Sequence, residues 1–467
     1  MKHRFLPAVF LLLLLAGPGG AVAATTVNTS HLRLTFDTAG NLSTAVACFP
    51  ACSGEQVRIQ QFADASVIEL GSSGPAAVSE SMADGHYELR FQQAGGASHA
   101  WRIPEAGYRI ELETSGAAEL TFRSGEPFRP RPAAGFGNWL EQARYVKIVG
   151  GDVTQIGFDE DESGVAAEAG WVGYRNRYWT LMAQPPPAAE ARLAGGADRQ
   201  DAELRVAAPG AGNWSIYLGP VEPVVLKNAD PVLQKVMYAG ISFWLRWICL
   251  GLFHLLAAIQ QFIPVWGIAI MVMSLAVNVL MLPLSRIADR FQQQVNETEA
   301  RLAPELHRIK KNFKGEEQAA KILALYKTER VHPLYSLKSL VGVAVVIPVF
   351  IGAFDMLAEN IHLLNTGFLW IADLSRPDDL FDLPFRLPFF GSELNLLPFL
   401  MTGLSFVASM LHKPLALNAE LRGRQVRNMV LLALAFFVLF YTFPAGMVLY
   451  WTTNNLISVI KSLWANR

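Results

Sequence analysis

Ser274 and Asn278 stand four residues apart in a stretch, Phe262 to Leu284, that is otherwise apolar and carries no formal charge. In a helix that spacing puts the hydroxyl and the amide on one face. Neither group is a nucleophile without an activating base. Their chemistry is hydrogen bonding, and in hydrocarbon both would lack partners, so the face is either packed against other helices or wet. The last apolar run repeats the pattern with Thr452, Thr453, Asn454 and Asn455, and an earlier one with Thr402, Ser405 and Ser409. A single Ser or Thr here reads as glue between helices. Asn278 together with Asn455 reads as part of a watery groove, because amides are costly in a membrane unless wet or paired.

Covalent chemistry has no comparable signature. The chain lacks G-x-S-x-G, H-E-x-x-H and a glycine-rich phosphate loop ending in Lys-Ser or Lys-Thr. The acidic run Asp159 to Glu162 reads as a solvated loop rather than a calcium site or an acid pair. Cys48 and Cys52 flank Phe49-Pro50-Ala51. In an oxidising compartment they suit a local disulfide closing a turn, and two free buried thiols are the alternative. Two ligands alone make a poor zinc site. Cys249, far from both, reads as a small apolar residue. No metal or cofactor is expected.

The elements that position these residues divide the chain in two. With 467 residues, 52% of them hydrophobic, and a mean hydropathy of +0.26, the protein is too apolar for an ordinary soluble enzyme, and the excess lies in the second half. The N-terminus has Lys2, His3 and Arg4, an apolar segment from Phe5 to Ala16, and small residues at Ala21-Val22-Ala23. That order reads as a secretory signal peptide over 1–23, or as a first span if it is not cleaved. From 24 to 230, segments such as HLRLTFDT and YRIELET alternate with a period near two and are separated by Gly, Pro, Asn and Asp. This is the pattern of an exported β-sandwich.

The remainder, 231–467, reads as helical. Phe262 to Leu284 has the length to cross a bilayer, at about 1.5 Å per residue. Ile241 to Ile259, which carries Arg246 and His254, reads as a helix lying in the interface. Residues 285–333 are dense in Lys and Arg, with apolar positions at helical spacing around a break at Asn312 to Gly315. They form a helical hairpin that the positive-inside rule places in the cytoplasm. Four more apolar runs follow, at about 337–357, 394–411, 429–443 and 447–464. The Asp-rich connection from Glu359 to Glu393 is then external, and the loop with Lys413, Arg422, Arg424 and Arg427 internal. The expected fold class is thus a multidomain membrane protein: an exported β-sandwich followed by a five-span α-helical core with a cytoplasmic hairpin.

FPAGMVLYW (Phe443 to Trp451) followed by Asn455, FLWIADLS (Phe368 to Ser375), LYKTERVHPL (Leu325 to Leu334) and GWVGYRNRYWTLMAQP (Gly170 to Pro185) occur over most of the chain. Together they resemble the YidC/Oxa/Alb family of membrane protein insertases, in its Gram-negative YidC form. The resemblance implies an inner-membrane protein with its large N-terminal domain in the periplasm. It also implies a hydrophilic groove open to cytoplasm and lipid. A client's polar tail would enter that groove while its apolar segment slides into lipid. A charge at the bilayer centre costs about 2.5–3.5 kcal/mol on insertion scales, and a watery groove lowers that barrier without a covalent step or a cofactor. The implied partners are nascent membrane proteins and lipid, with the Sec translocon and the ribosome as candidates, and neither nucleic acid nor a small molecule. The groove residues would be Ser274, Asn278, Thr402, Ser405, Asn454 and Asn455, with Lys338 at the cytoplasmic mouth.

The chain departs from that family pattern where most bacterial relatives place a groove Arg, for which it has Asn278. A polar Gln of the second span appears as Val346. A specialised paralogue that assists folding or assembly without general insertion is the alternative. A transporter would need paired intramembrane ions or broken-helix repeats, and neither is visible.

Overall fold

The computed structural model describes residues 24–71, 74–158, 162–166, 170–195, 200–332, 334–335, 340–411 and 419–465. The segment read as a signal peptide, the acidic run at 159–161 and Lys338 lie outside the described residues.

The N-terminal half folds as two nine-stranded antiparallel sheets. Their strands bury alternate residues, as in Leu32–Phe36 and Arg109–Thr114. The period of two follows from side chains pointing to opposite faces of a pleated strand. The inner faces meet across aromatic contacts: Phe36 lies 5.3 Å from the Trp101 ring and 6.1 Å from that of Phe91. Trp171–Arg175 departs from alternation, and all five of its residues are buried. Its outer face is covered by the segment that leaves the domain. There Trp171 Nε1 donates to Asp230 Oδ2 at 3.2 Å, and Arg175 Nη1 donates to Val236 O at 2.7 Å.

The second half is helical: α1 (Pro223–Ala229), α2 (Phe243–Phe262), α3 (Trp266–Asn312), α4 (Gly315–Thr328), α5 (Leu340–Ala358), α6 (Leu396–Leu411), α7 (Ala419–Phe440) and α8 (Ala445–Ala465). The apolar stretch and the first charged arm form one continuous helix, α3, of 47 residues. At about 1.5 Å per residue it is far longer than a bilayer is thick. α4 folds back on it, with Arg301 Nε 3.7 Å from Glu329 Oε2. Among the described residues α2 and α3 are long and apolar enough to cross a membrane. The described apolar segments of α5, α6 and α7 are Val346–Ala358, Leu396–Leu411 and Val430–Phe440. α8 packs between α3 and α6, and α2 lies against α5.

Two points along the α2 segment meet the same end of α5. Before the helix, Tyr238 N donates to Glu359 Oε2 at 3.1 Å. Midway along it, Ile248 and Leu252 cover Gly352, and beyond them the Phe253 ring lies 6.3 Å from His362. α2 therefore packs against the C-terminal half of α5.

Three buried arginines fasten the sheet domain to the helices. Arg58 Nε donates to Leu364 O at 2.9 Å, and its Nη2 donates to His362 O at 2.7 Å and Thr366 Oγ1 at 3.0 Å. Arg175 pairs with Glu359 at 3.1 Å. Arg177 pairs with Glu141 and donates to Ala358 O at 2.7 Å and Ser375 O at 3.0 Å. Each guanidinium donates to backbone carbonyls at a chain turn.

Candidate functional site

α8 carries Asn454 and Asn455 in succession. Successive residues of a helix point about 100° apart, so these two amides serve different neighbours. Asn454 Oδ1 accepts from Ser274 Oγ at 2.9 Å and from Asn278 Nδ2. The Asn278 amide also donates to Ser274 O at 3.0 Å. Lys461, two turns beyond Asn454 on α8, donates from Nζ to Asn278 Oδ1 at 3.0 Å. Ser274, Asn278, Asn454 and Lys461 thus form one hydrogen-bonded chain between α3 and α8.

Exposure rises along that chain. Ser274 is fully buried, Asn278 and Asn454 are half-buried, and Lys461 is exposed. Beyond Ser274, toward the start of α3, the space is filled by rings. Trp266 stacks on His362 at 5.1 Å between ring centres. The Phe368 ring lies over Gly267 so closely that a Cβ there would stand 2.1 Å from it, which only a glycine permits. Gly446 N, at the head of α8, donates to Leu374 O at 2.8 Å. The polar chain is therefore capped at one end by aromatic side chains and a loop, and reaches an exposed cation at the other.

Asn455 faces α6. Its amide donates to Ser405 Oγ at 2.6 Å and to Met401 O at 2.9 Å. Ser405, Ser409 and Asn455 line a cavity of about 240 Å³ together with Phe406, Phe436 and Trp451. Thr402 Oγ1 donates to Pro398 O at 2.8 Å, Thr452 to Val448 O at 2.7 Å, and Thr453 to Leu449 O at 2.8 Å. These hydroxyls are satisfied by the carbonyl one turn earlier in their own helices. A second cavity, of about 560 Å³, lies elsewhere, between the sheet domain and the connections around Ser375 and Asn395.

The expected residues thus fall into two groups. Ser274, Asn278 and Asn454 come together, and Asn455 joins Ser405 on another face of α8, so Asn278 and Asn455 do not meet. Val346, for which the family resemblance implied a Gln, is 51% exposed and joins neither. Cys48 and Cys52 form a disulfide, and Cys249 is free and buried. The residue that sequence reasoning missed is Lys461. Its signal was a spacing of seven from Asn454, which keeps two residues on one helical face.

Residues 258–467 match the family model of the 60Kd inner membrane protein. The membrane protein insertase YidC of Janthinobacterium sp. (strain Marseille) is 30% identical over 325 residues, 66% of this chain and 55% of that protein. Over residues 258–467 the chain is similar to the YidC family. The YidC of Ralstonia nicotianae is 28% identical over 387 residues, 77% of this chain and 64% of its own. The YidC of Helicobacter pylori (strain ATCC 700392 / 26695) is 33% identical over 255 residues, 54% of this chain and 41% of its own. The chain spans little more than half the length of the first of these YidC relatives.

Proposed function

We propose that this protein is an inner-membrane insertase, which lets polar tails or loops of nascent membrane proteins cross part of the bilayer while their apolar segments pass into lipid. The observation that carries this reading is the polar chain from buried Ser274 to exposed Lys461, capped at the opposite end by Trp266, His362 and Phe368. A client chain would exchange hydrogen bonds with water for hydrogen bonds with Asn278 and Asn454, so its backbone and side chains need not be stripped bare in hydrocarbon. Insertion on this reading is an exchange of solvation, with no bond made or broken in the client.

Lys461 gives the groove a cation beside Asn278, the position for which the family resemblance implied an Arg. An ammonium has three donors, and one of them is engaged by Asn278. Among the described residues no carboxylate lies at ion-pair distance from it. It is therefore available to the acidic tail of a client. Asn455 with Ser405 would line the neighbouring cavity on the α6 side, and the β domain would stand in the periplasm with α2 along the membrane surface. Lys338 would sit at the cytoplasmic mouth, with the α3–α4 hairpin nearby to meet clients as they leave the ribosome or the Sec translocon.

The test joins growth to accessibility. Expression in a strain depleted of its own insertase should restore growth, and a cysteine at position 278 should react with a water-soluble maleimide from the cytoplasmic side. Failure of growth with normal membrane expression, together with an unreactive position 278, would reject the reading.

A further inference from the structure

Between α5 and α6 the chain forms a two-stranded antiparallel hairpin, Phe381–Leu387 with Gly391–Leu394. Its first strand and turn read FDLPFRLPFF, with apolar residues at every second position from Phe381 to Leu387. A lone two-stranded hairpin is marginal in water, and exposed apolar edges invite aggregation. Yet Phe381, Phe385 and Phe389 are 52%, 58% and 44% exposed. The β domain adds to the same patch. Phe136 meets Phe389 edge-on at 5.0 Å while remaining 45% exposed, and Trp139 is 58% exposed.

Ties to the helix ends fix the level of this patch. Tyr441 Oη, just past α7, donates to Glu393 O at 3.0 Å, and Asn395 Nδ2 donates to Tyr441 O at 2.8 Å. Asp378 Oδ2 accepts from Leu396 N at 2.8 Å and Leu397 N at 2.9 Å, in the first turn of α6. Trp139 lies 6.2 Å from Phe354, near the end of α5. The patch therefore stands level with the ends of α5, α6 and α7. Phe399 and Leu400, in the first turns of α6, are exposed as well. Aromatic rings interspersed with arginine are the composition of a membrane–water boundary, where the rings sit at headgroup depth and guanidinium groups reach phosphates. Arg386 within the hairpin and Arg131 near Phe136 are both exposed.

We infer that the Phe381–Leu394 hairpin and the Phe136–Trp139 turn form a single lipid anchor that holds the β domain down on the bilayer surface. The rings enter about 5–10 Å into the headgroup–acyl boundary of the leaflet on the domain's side. The occupant is lipid because the patch stands at the ends of α5, α6 and α7, helices whose own exposed side chains include Val346, Phe399, Leu400, Leu431 and Leu434. The inference rests on those helices crossing the membrane.

Depth-resolved quenching of the full-length chain tests it. Cys249→Ser leaves the Cys48–Cys52 disulfide as the only other cysteines, and Phe385→Cys is labelled with a small fluorophore in phosphatidylethanolamine–phosphatidylglycerol vesicles. Ala94→Cys, in a turn at the far end of the β domain, and Leu432→Cys, exposed on α7, serve as references. The label at 385 should be quenched by a shallow doxyl lipid and several-fold less than position 94 by aqueous iodide. Phe381→Cys should behave in the same way if the 385 variant folds poorly. Iodide quenching at 385 equal to that at 94 overturns the anchor, provided that position 432 is quenched by lipid. Position 432 escaping lipid as well would instead overturn the membrane reading beneath it. Protection of 385 from both quenchers overturns the anchor too, since a second copy or another protein would then cover the patch.

Discussion

The Lys461 ammonium donates to the side-chain oxygen of Asn278 at 3.0 Å, so the last helix brings a cation to the amide of α3. An amide oxygen holds an ammonium by a charge-assisted hydrogen bond without neutralising it, and on the proposed function the charge remains for a client.

Lys461→Met should therefore lower insertion of a client with an acidic tail by about tenfold, the equivalent of one hydrogen bond to a charged group. A client with a neutral tail should be little affected, and Lys461→Arg should keep most of the activity. Protease protection of inserted clients in proteoliposomes reads all three. Equal losses for acidic and neutral tails would show that Lys461 supports the structure rather than the charge.

Asn454→Leu should destabilise the helical half more than Thr402→Val. Asn454 Oδ1 accepts from both Ser274 and Asn278, whereas Thr402 bonds its own helix. Stranding a buried donor costs about 1–3 kcal/mol. Thermal unfolding in detergent should show a clear loss for the first variant and nearly none for the second.

Arg177→Met should loosen the sheet domain from the helices. The Arg177 side chain is 5% exposed, pairs with Glu141, and donates to Ala358 O and Ser375 O. Removing one partner of a buried pair costs about 3–5 kcal/mol, because the other charge is left uncompensated. Limited proteolysis of the connection around Asn228 to Pro231 should accelerate in this variant. An unchanged digestion pattern would mean that Arg58 and Arg175 hold the domain alone.

Docking should also weaken in acid. Burial and, second to it, the neighbouring Arg58 push His362 down from its ordinary 6.5 to about 4. The unfolded or undocked imidazole binds a proton that the folded one refuses, so stability falls as pH drops from about 6.5 to about 4 and is level above that window. The half-buried ring limits this contribution to at most about 3 kcal/mol. Melting temperatures between pH 7 and pH 4 should fall less steeply in His362→Phe than in the parent, whereas parallel curves would exonerate His362.

The division of the chain was legible without coordinates. Alternation of period two in HLRLTF and the uncharged run in α3 are local properties, set by the geometry of one strand and one helix. The same local rule placed Ser274 with Asn278, and the last apolar run offered Asn454 and Asn455 as its polar residues. Local pattern could not say that Asn454 turns to α3 and Asn455 to α6, because that depends on how α8 is rotated between its neighbours. Nor could it find Lys461 beside Asn278, 183 positions apart in sequence. It also missed that the β domain is pinned by Arg58, Arg175 and Arg177, since a guanidinium in a strand says nothing about which distant carbonyls it will meet. Periodicity is fixed by bonds within a few residues, and determined the elements; partners across hundreds of residues are chosen by packing, and only the tertiary structure decided them.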